Sequence, residues 1–223
     1  MSEPQQTTTP AAGTPAAGGF GATPLRTAWL AILFGFIMEA LRLMFAAGFG
    51  IFPGFKPIAA DLVRQVSWST FVCVGLALGT AVSQARAPLM GILGLLAAPL
   101  AFTLSRSIYQ GAVKTLEIAG SGAGAPPVLV LATRKAIDYA CLGVAIGWIG
   151  RRLWGGAVAH VATGLAMGIV FGGTIVALTY RMSPNPLAAA DLISRGANEI
   201  LFPVGCSLVL FAATALGRRV PEI

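Results

Sequence analysis

Between Thr27 and Leu216 the chain returns repeatedly to apolar stretches of bilayer-crossing length, and only short half-polar segments separate them. A water-soluble domain cannot be built this way. Its surface needs charge, and here 10% of the residues are charged against 56% hydrophobic. The solvent for most of the chain is therefore lipid, where a backbone must satisfy its own hydrogen bonds and only helices or closed barrels persist. Strand-type alternation with one polar face is missing, so the expected fold class is all-α, a polytopic membrane helix bundle.

Six transmembrane helices are predicted: Thr27–Ile51, Val66–Ser83, Leu89–Gly111, Ala136–Ile149 (extended upstream by PPVLVLA), Gly155–Tyr180 and Ile200–Leu216. The first 25 residues form a Pro/Ala/Gly/Thr-rich tail, too poor in large apolar side chains to offset the entropy of ordering, and are expected to be disordered. Residues 26–223 then make one transmembrane domain. Connections alternate: QARAP (84–88) and GRRLWG (150–155) are tight and basic, whereas 52–65, 112–135 and 181–199 are longer and half-polar. Lys and Arg divide almost evenly between the two faces, six against seven, so counting does not decide the orientation. The compact arginine-bearing connections lack nearby acids, and on that ground both termini are expected in the cytoplasm or matrix, in a bacterial or mitochondrial inner membrane. A formal net charge of +7 without any basic run longer than a pair concerns topology and gives no reason to expect nucleic acid.

The longer connections repeat a phrase. PIAADLVR (57–64) and PLAAADLISR (186–195), with PVLVLATR (127–134) as a looser copy, each open on Pro, end on Arg and lead into an even-numbered span. Beyond them, CVGLALG (73–79) parallels CLGVAIG (141–147). The predicted architecture is three pseudo-repeated helix pairs with short amphipathic connectors. In those connectors Asp61 with Arg64 and Asp191 with Arg195 are spaced for interfacial ion pairs on one helical face. Six helices in three such pairs resemble the general plan of the mitochondrial carrier family. The Pro-x-acid-x-x-base signature of that family is absent, PGFKP standing after the first span, so no family is assigned.

Functional candidates are the residues costly to place in lipid. Glu39 and Arg42 lie three apart within FGFIMEALRLMF (34–45), and Arg106 stands at a similar distance along its own span. A charge at that depth costs about 2.5–3.5 kcal/mol on insertion scales. Two arginines and one glutamate around a shared cavity would form a net positive substrate-binding site for a carboxylate or phosphate. An internally neutralised pair, with Arg106 reaching the headgroups, is the structural alternative. His160, the only histidine, stands among small residues. That setting suits a packing histidine, or an axial ligand to a tetrapyrrole as a cofactor. No histidine pair, acidic cluster or phosphate loop is present, so neither a metal site nor catalysis is expected.

Gly75 and Gly79, Gly143 and Gly147, and Gly164, Gly168 and Gly172 recur every four residues and predict close helix packing. Pro99 and Pro203 are expected to kink their helices. Cys73, Cys141 and Cys206 should be buried thiols. Together these readings predict a transporter or channel-like protein for a small, anionic solute, embedded in the bilayer. The alternative is a non-catalytic subunit packed against other membrane chains, or itself, in a respiratory or photosynthetic assembly.

Overall fold

The computed structural model describes residues 19–81, 85–118, 128–182 and 189–219. Six helical rods account for nearly all of them, and no strand occurs among the described residues. The rods are α1 (Gly19–Gly48), α2 (Phe55–Leu78, closed by a 3₁₀ turn at Gly79–Ala81), α3 (Arg86–Thr115), α4 (Val128–Ile149), α5 (Ala157–Met182) and α6 (Ala189–Arg219). Residues 1–18 of the predicted tail lie outside the described residues. The helix is under way at Gly19, upstream of the expected boundary, and accommodates Pro24 near its start.

Among the described residues, four rods are long and apolar enough to cross a membrane: Thr23–Gly48, Arg86–Thr115, Ala157–Met182 and Ala189–Gly217. This is the signature of a multi-pass integral membrane protein. The sequence reading proposed six crossings. The other two rods, α2 and α4, have 24 and 22 residues and so sufficient length, but Lys56, Asp61, Arg64, Arg134, Lys135 and Asp138 lower their hydropathy. The connector helices expected at the interface also take a different form. The phrase at 57–64 is the opening of α2 itself, and the part of the later phrase that is described opens α6. Pro57 sits in the first turn, where its missing N–H has no helical partner to lose, and nothing downstream interrupts the hydrogen-bond ladder. Pro186 lies outside the described residues.

The rods close on one another as a ring. α1 packs on α2 and α6, α2 on α3, α3 on α4, and α5 on α6, with a lighter seam between α4 and α5. Inside the ring α2, α4 and α6 meet. Trp68 of α2 lies 5.6 Å from Tyr139 of α4 and 5.9 Å from Phe202 of α6, and Phe34 of α1 stacks on Phe202 at 4.9 Å. One layer away the Cys73 and Cys206 sulfurs approach to 3.2 Å as free thiols. Outer faces carry Trp29, Leu33, Ile92, Leu100 and Val158, all exposed, as lipid contact requires.

Close approach depends on missing side chains. A Cβ on Gly143 would strike the Met90 carbonyl, and one on Gly147 would come within 2.6 Å of the Ala87 backbone. Gly75 and Gly79 of the α2 end seat against Ala97 and Met90 of α3. Along α5, Gly164, Gly168 and Gly172 lie on the backbone of Val204, Ile200 and Glu199 in α6. Gly168–Gly172 form a π turn within α5, and Pro203 lies one turn away, against Gly164, in an unbroken α6. α3 likewise runs through Pro99 without a break. Proline leaves the carbonyl four residues before it without its helical donor; for Pro203 that carbonyl belongs to Glu199.

Two outcomes are expected from this packing. Gly168→Leu should lower the unfolding midpoint in detergent by an overpacking cost of about 1–3 kcal/mol or more, whereas Gly173→Leu, whose Cβ meets nothing within 4 Å, should leave it unchanged. A membrane-permeant thiol oxidant should produce an intramolecular Cys73–Cys206 crosslink, seen as a mobility change without reductant. Cys206→Ser should abolish that change, and Cys141→Ser should not.

Candidate functional site

Two polar clusters lie within the ring. The first begins with Glu39 and Arg42, three residues apart on α1. The Arg42 guanidinium forks onto Glu39, Nε donating to Oε2 at 3.0 Å and Nη2 to Oε1 at 2.6 Å, and the same Nη2 lies 2.8 Å from Asp61 Oδ2 of α2. Asp61 also accepts from Arg64 Nη2 at 3.0 Å, and Arg64 lies over the Tyr109 ring of α3 at 5.5 Å. Bidentate charge-assisted contacts of this kind are strong and directional. The chain of alternating charges ties α1, α2 and α3 together near the face where α1 ends and α2 begins, which we call the connector face. Two carboxylates and two guanidiniums leave it formally neutral.

The remaining candidates fall elsewhere. Arg106 is partly buried on α3 and forms no ion pair among the described residues, so Arg42 is matched by Asp61 instead. Asp191 and Arg195 are exposed at the start of α6, and no ion pair joins them among the described residues. His160 is buried, its Nδ1 3.0 Å from the Gly156 carbonyl and its ring 5.1 Å from that of Phe211. This is the arrangement of a packed, hydrogen-bonded histidine at the first turn of α5.

The second cluster occupies the centre of the ring. Lys135 of α4 forms an ion pair with Glu199 of α6, and its ammonium lies 5.5 Å from the Trp68 ring and 6.0 Å from that of Tyr139. Aromatic faces of this kind stabilise a cation in place of water. Beside it, Gln65 of α2 donates to Asn198 Oδ1 of α6 at 2.7 Å. Asp138 follows Lys135 by one turn of α4 and has no exposed surface. Neither of its carboxylate oxygens receives a hydrogen bond from the described residues, nor does the buried Tyr139 hydroxyl find a partner there. Gln65, Lys135, Asp138 and Glu199 all lie about 10–15 Å along their helices from the connector face, at ~1.5 Å per residue. They share one level, and the π turn of α5 borders it: the turn packs on Ile200 and Glu199, and Arg134 bonds Thr174 and lies over the Phe171 ring.

Lys135, Glu199 and Asp138 together carry a formal charge of −1 in an apolar shell. An unmatched buried carboxylate is costly, by several kcal/mol even after relaxation, and such a group lowers its cost by taking up a proton or a cation. This cluster was not among the sequence candidates, because Lys135 and Glu199 fall in stretches assigned to connections. One signal did point to it. Gln65 and Asn198 stand at the same offset ahead of Cys73 and Cys206, and both pairs meet across α2 and α6.

Comparison with known proteins gives no significant match to a family profile, a curated protein or a solved structure.

The Lys135–Glu199 pair predicts non-additive stability. Lys135→Met or Glu199→Leu alone should each cost about 3–5 kcal/mol by leaving its partner buried and uncompensated. The double variant should recover most of that loss in a double-mutant cycle read by unfolding in mixed micelles. Additive losses would mean that the two side chains do not meet.

Proposed function

We propose that the chain is a small proton-coupled membrane transporter for a small organic anion, with all six rods crossing the bilayer and α2, α4 and α6 lining the pathway. The observation that carries this reading is Asp138, fully enclosed and unmatched by hydrogen bonds from the described residues. Inward-looking ionisable groups at membrane depth are the means by which transporters bind and relay ions. In this reading Asp138 is the group that exchanges a proton when the pathway opens to water.

Lys135 supplies the cationic handle for the cargo. With no cargo, Glu199 neutralises it. An entering carboxylate or phosphate competes with Glu199 for the ammonium, and protonation of Asp138 removes the repulsion that would otherwise meet a second anion. Trp68 and Tyr139 offer the aromatic walls. The π turn of α5 beside Glu199 supports the same reading, since such turns occur frequently at functional sites. Both termini then lie on one face with the compact arginine-bearing connections, and this reading puts that face on the cytoplasmic or matrix side because those connections lack nearby acids, Lys and Arg being divided almost evenly between the two faces.

The full chain in liposomes should take up organic anions when the outside is acidified. Asp138→Asn should abolish the acid-driven component by at least tenfold while the protein keeps its unfolding midpoint. Unchanged acid-driven uptake in a folded Asp138→Asn variant would overturn the assignment. A chain that leaves the membrane only together with haem- or pigment-bearing partners would support the subunit reading instead.

A further inference from the structure

A groove on the outside of the ring, separate from the polar centre, has an amphipathic form of its own. It runs along the outer faces of α3 and α4, past Pro88, Ile92, Leu95, Ala140, Val144 and Trp148, and ends at Met167 of α5; its volume is about 570 Å³. That volume lies in the range of small-molecule clefts, about 300–1,000 Å³. Its walls are almost wholly apolar. Polar groups begin just beyond the Trp148 end, where α4 gives way to the connection 150–156. There the Arg152 guanidinium lies 4.6 Å from the Trp148 ring, and Trp154 meets Trp148 edge-on at 5.6 Å. That connection, GRRLWGG, holds two arginines and no acid, and Arg152, Leu153 and Trp154 are exposed.

We propose that this groove seats one anionic glycerophospholipid, with an acyl chain laid along α3 and α4 toward Met167 and the phosphate held at Arg152. Three features select this occupant. The groove opens sideways between α3 and α5, two of the rods apolar enough to cross a bilayer, where acyl chains are the surrounding solvent. The charge nearest it lies just past one end, on Arg152 against the lining Trp148, at the depth where tryptophan belts mark the headgroup layer. That charge is cationic, and basic pockets between helices on the cytoplasmic side are where anionic headgroups bind. A second copy of the chain fits less well. The glycines that permit helices to touch here, Gly91, Gly143 and Gly147, already face the α3–α4 seam. The lipid would brace that seam and the lighter α4–α5 contact from outside.

The test uses the full chain, delipidated in a neutral detergent, with its unfolding midpoint measured after adding phosphatidylglycerol or phosphatidylcholine of identical acyl chains. Phosphatidylglycerol should raise the midpoint by about 2–4 °C more than phosphatidylcholine. Arg152→Gln should erase that difference. Val144→Trp, which fills the groove, should erase the response to both lipids, and native mass spectrometry should show a single retained lipid in the unaltered chain and none in Val144→Trp. Equal shifts from the two lipids, an undiminished preference in Arg152→Gln, or the same rise from inorganic phosphate alone would each overturn the proposal. So would self-association that Val144→Trp disrupts without any lipid effect. If Val144→Trp fails to fold, Arg152→Gln, an exposed change, decides the matter alone.

Discussion

Lys135 reaches from α4 to the Glu199 carboxylate of α6, and the interior of the ring is organised around that contact. In a bundle whose outer faces meet lipid, a charged side chain has nowhere else to go. Association of apolar helices in a bilayer gains nothing from expelling water, so packing and polar contacts must supply the specificity. A single cross-ring ion pair sets the rotation of α4 and α6 about their axes. Once those rotations are set, Asp138 and Tyr139 point inward on α4, Asn198 meets Gln65, and Phe202 and Cys206 fall into the core against Trp68 and Cys73.

The glycine seams make this arrangement reachable. Side chains as short as those of asparagine and glutamine hydrogen-bond across helices only when the backbones come close. On α5, glycines at successive turns bring its backbone onto Ile200 and Glu199, beside the carboxylate that Lys135 needs. The π turn falls on those glycines, where no side chains resist the extra residue per turn. Close backbone approach and the cross-helix polar pairs therefore coincide at this level of the bundle.

Much of the scaffold was legible in the sequence, for physical reasons that also explain what was not. The rods follow from apolar run length, and the Glu39–Arg42 and Asp61–Arg64 contacts follow from spacing on one helical face. Glycines at fourfold spacing, Gly164 to Gly172 among them, stand where helices touch. The central cluster was hidden by the same hydropathy logic that revealed the rods. A window that reads polarity as the end of a span stops at Ala136 and Ile200, one residue after Lys135 and Glu199. Yet these helices extend about two to three turns further toward the connector face and turn those charges inward. Partners of a charge across a bundle depend on tertiary contacts, which is why Arg42 could be paired with Arg106 on depth alone while Asp61 was its actual neighbour.

The two polar clusters differ in how fully their charges are matched. In the outer one every charge has an opposite neighbour, Arg42 forks onto Glu39, and a third helix closes the chain through Tyr109. Such a neutral, saturated network resists rearrangement, because moving any member strands another in a poor dielectric. The inner cluster is unsaturated. Asp138 has no donor among the described residues, Lys135 depends on one carboxylate and two aromatic faces, and the Glu199 carbonyl faces a proline without an N–H. The saturated cluster ties α1, α2 and α3 together, while the unsaturated one lies within about one helical turn of the same depth, at ~1.5 Å per residue, on the facing side of the ring.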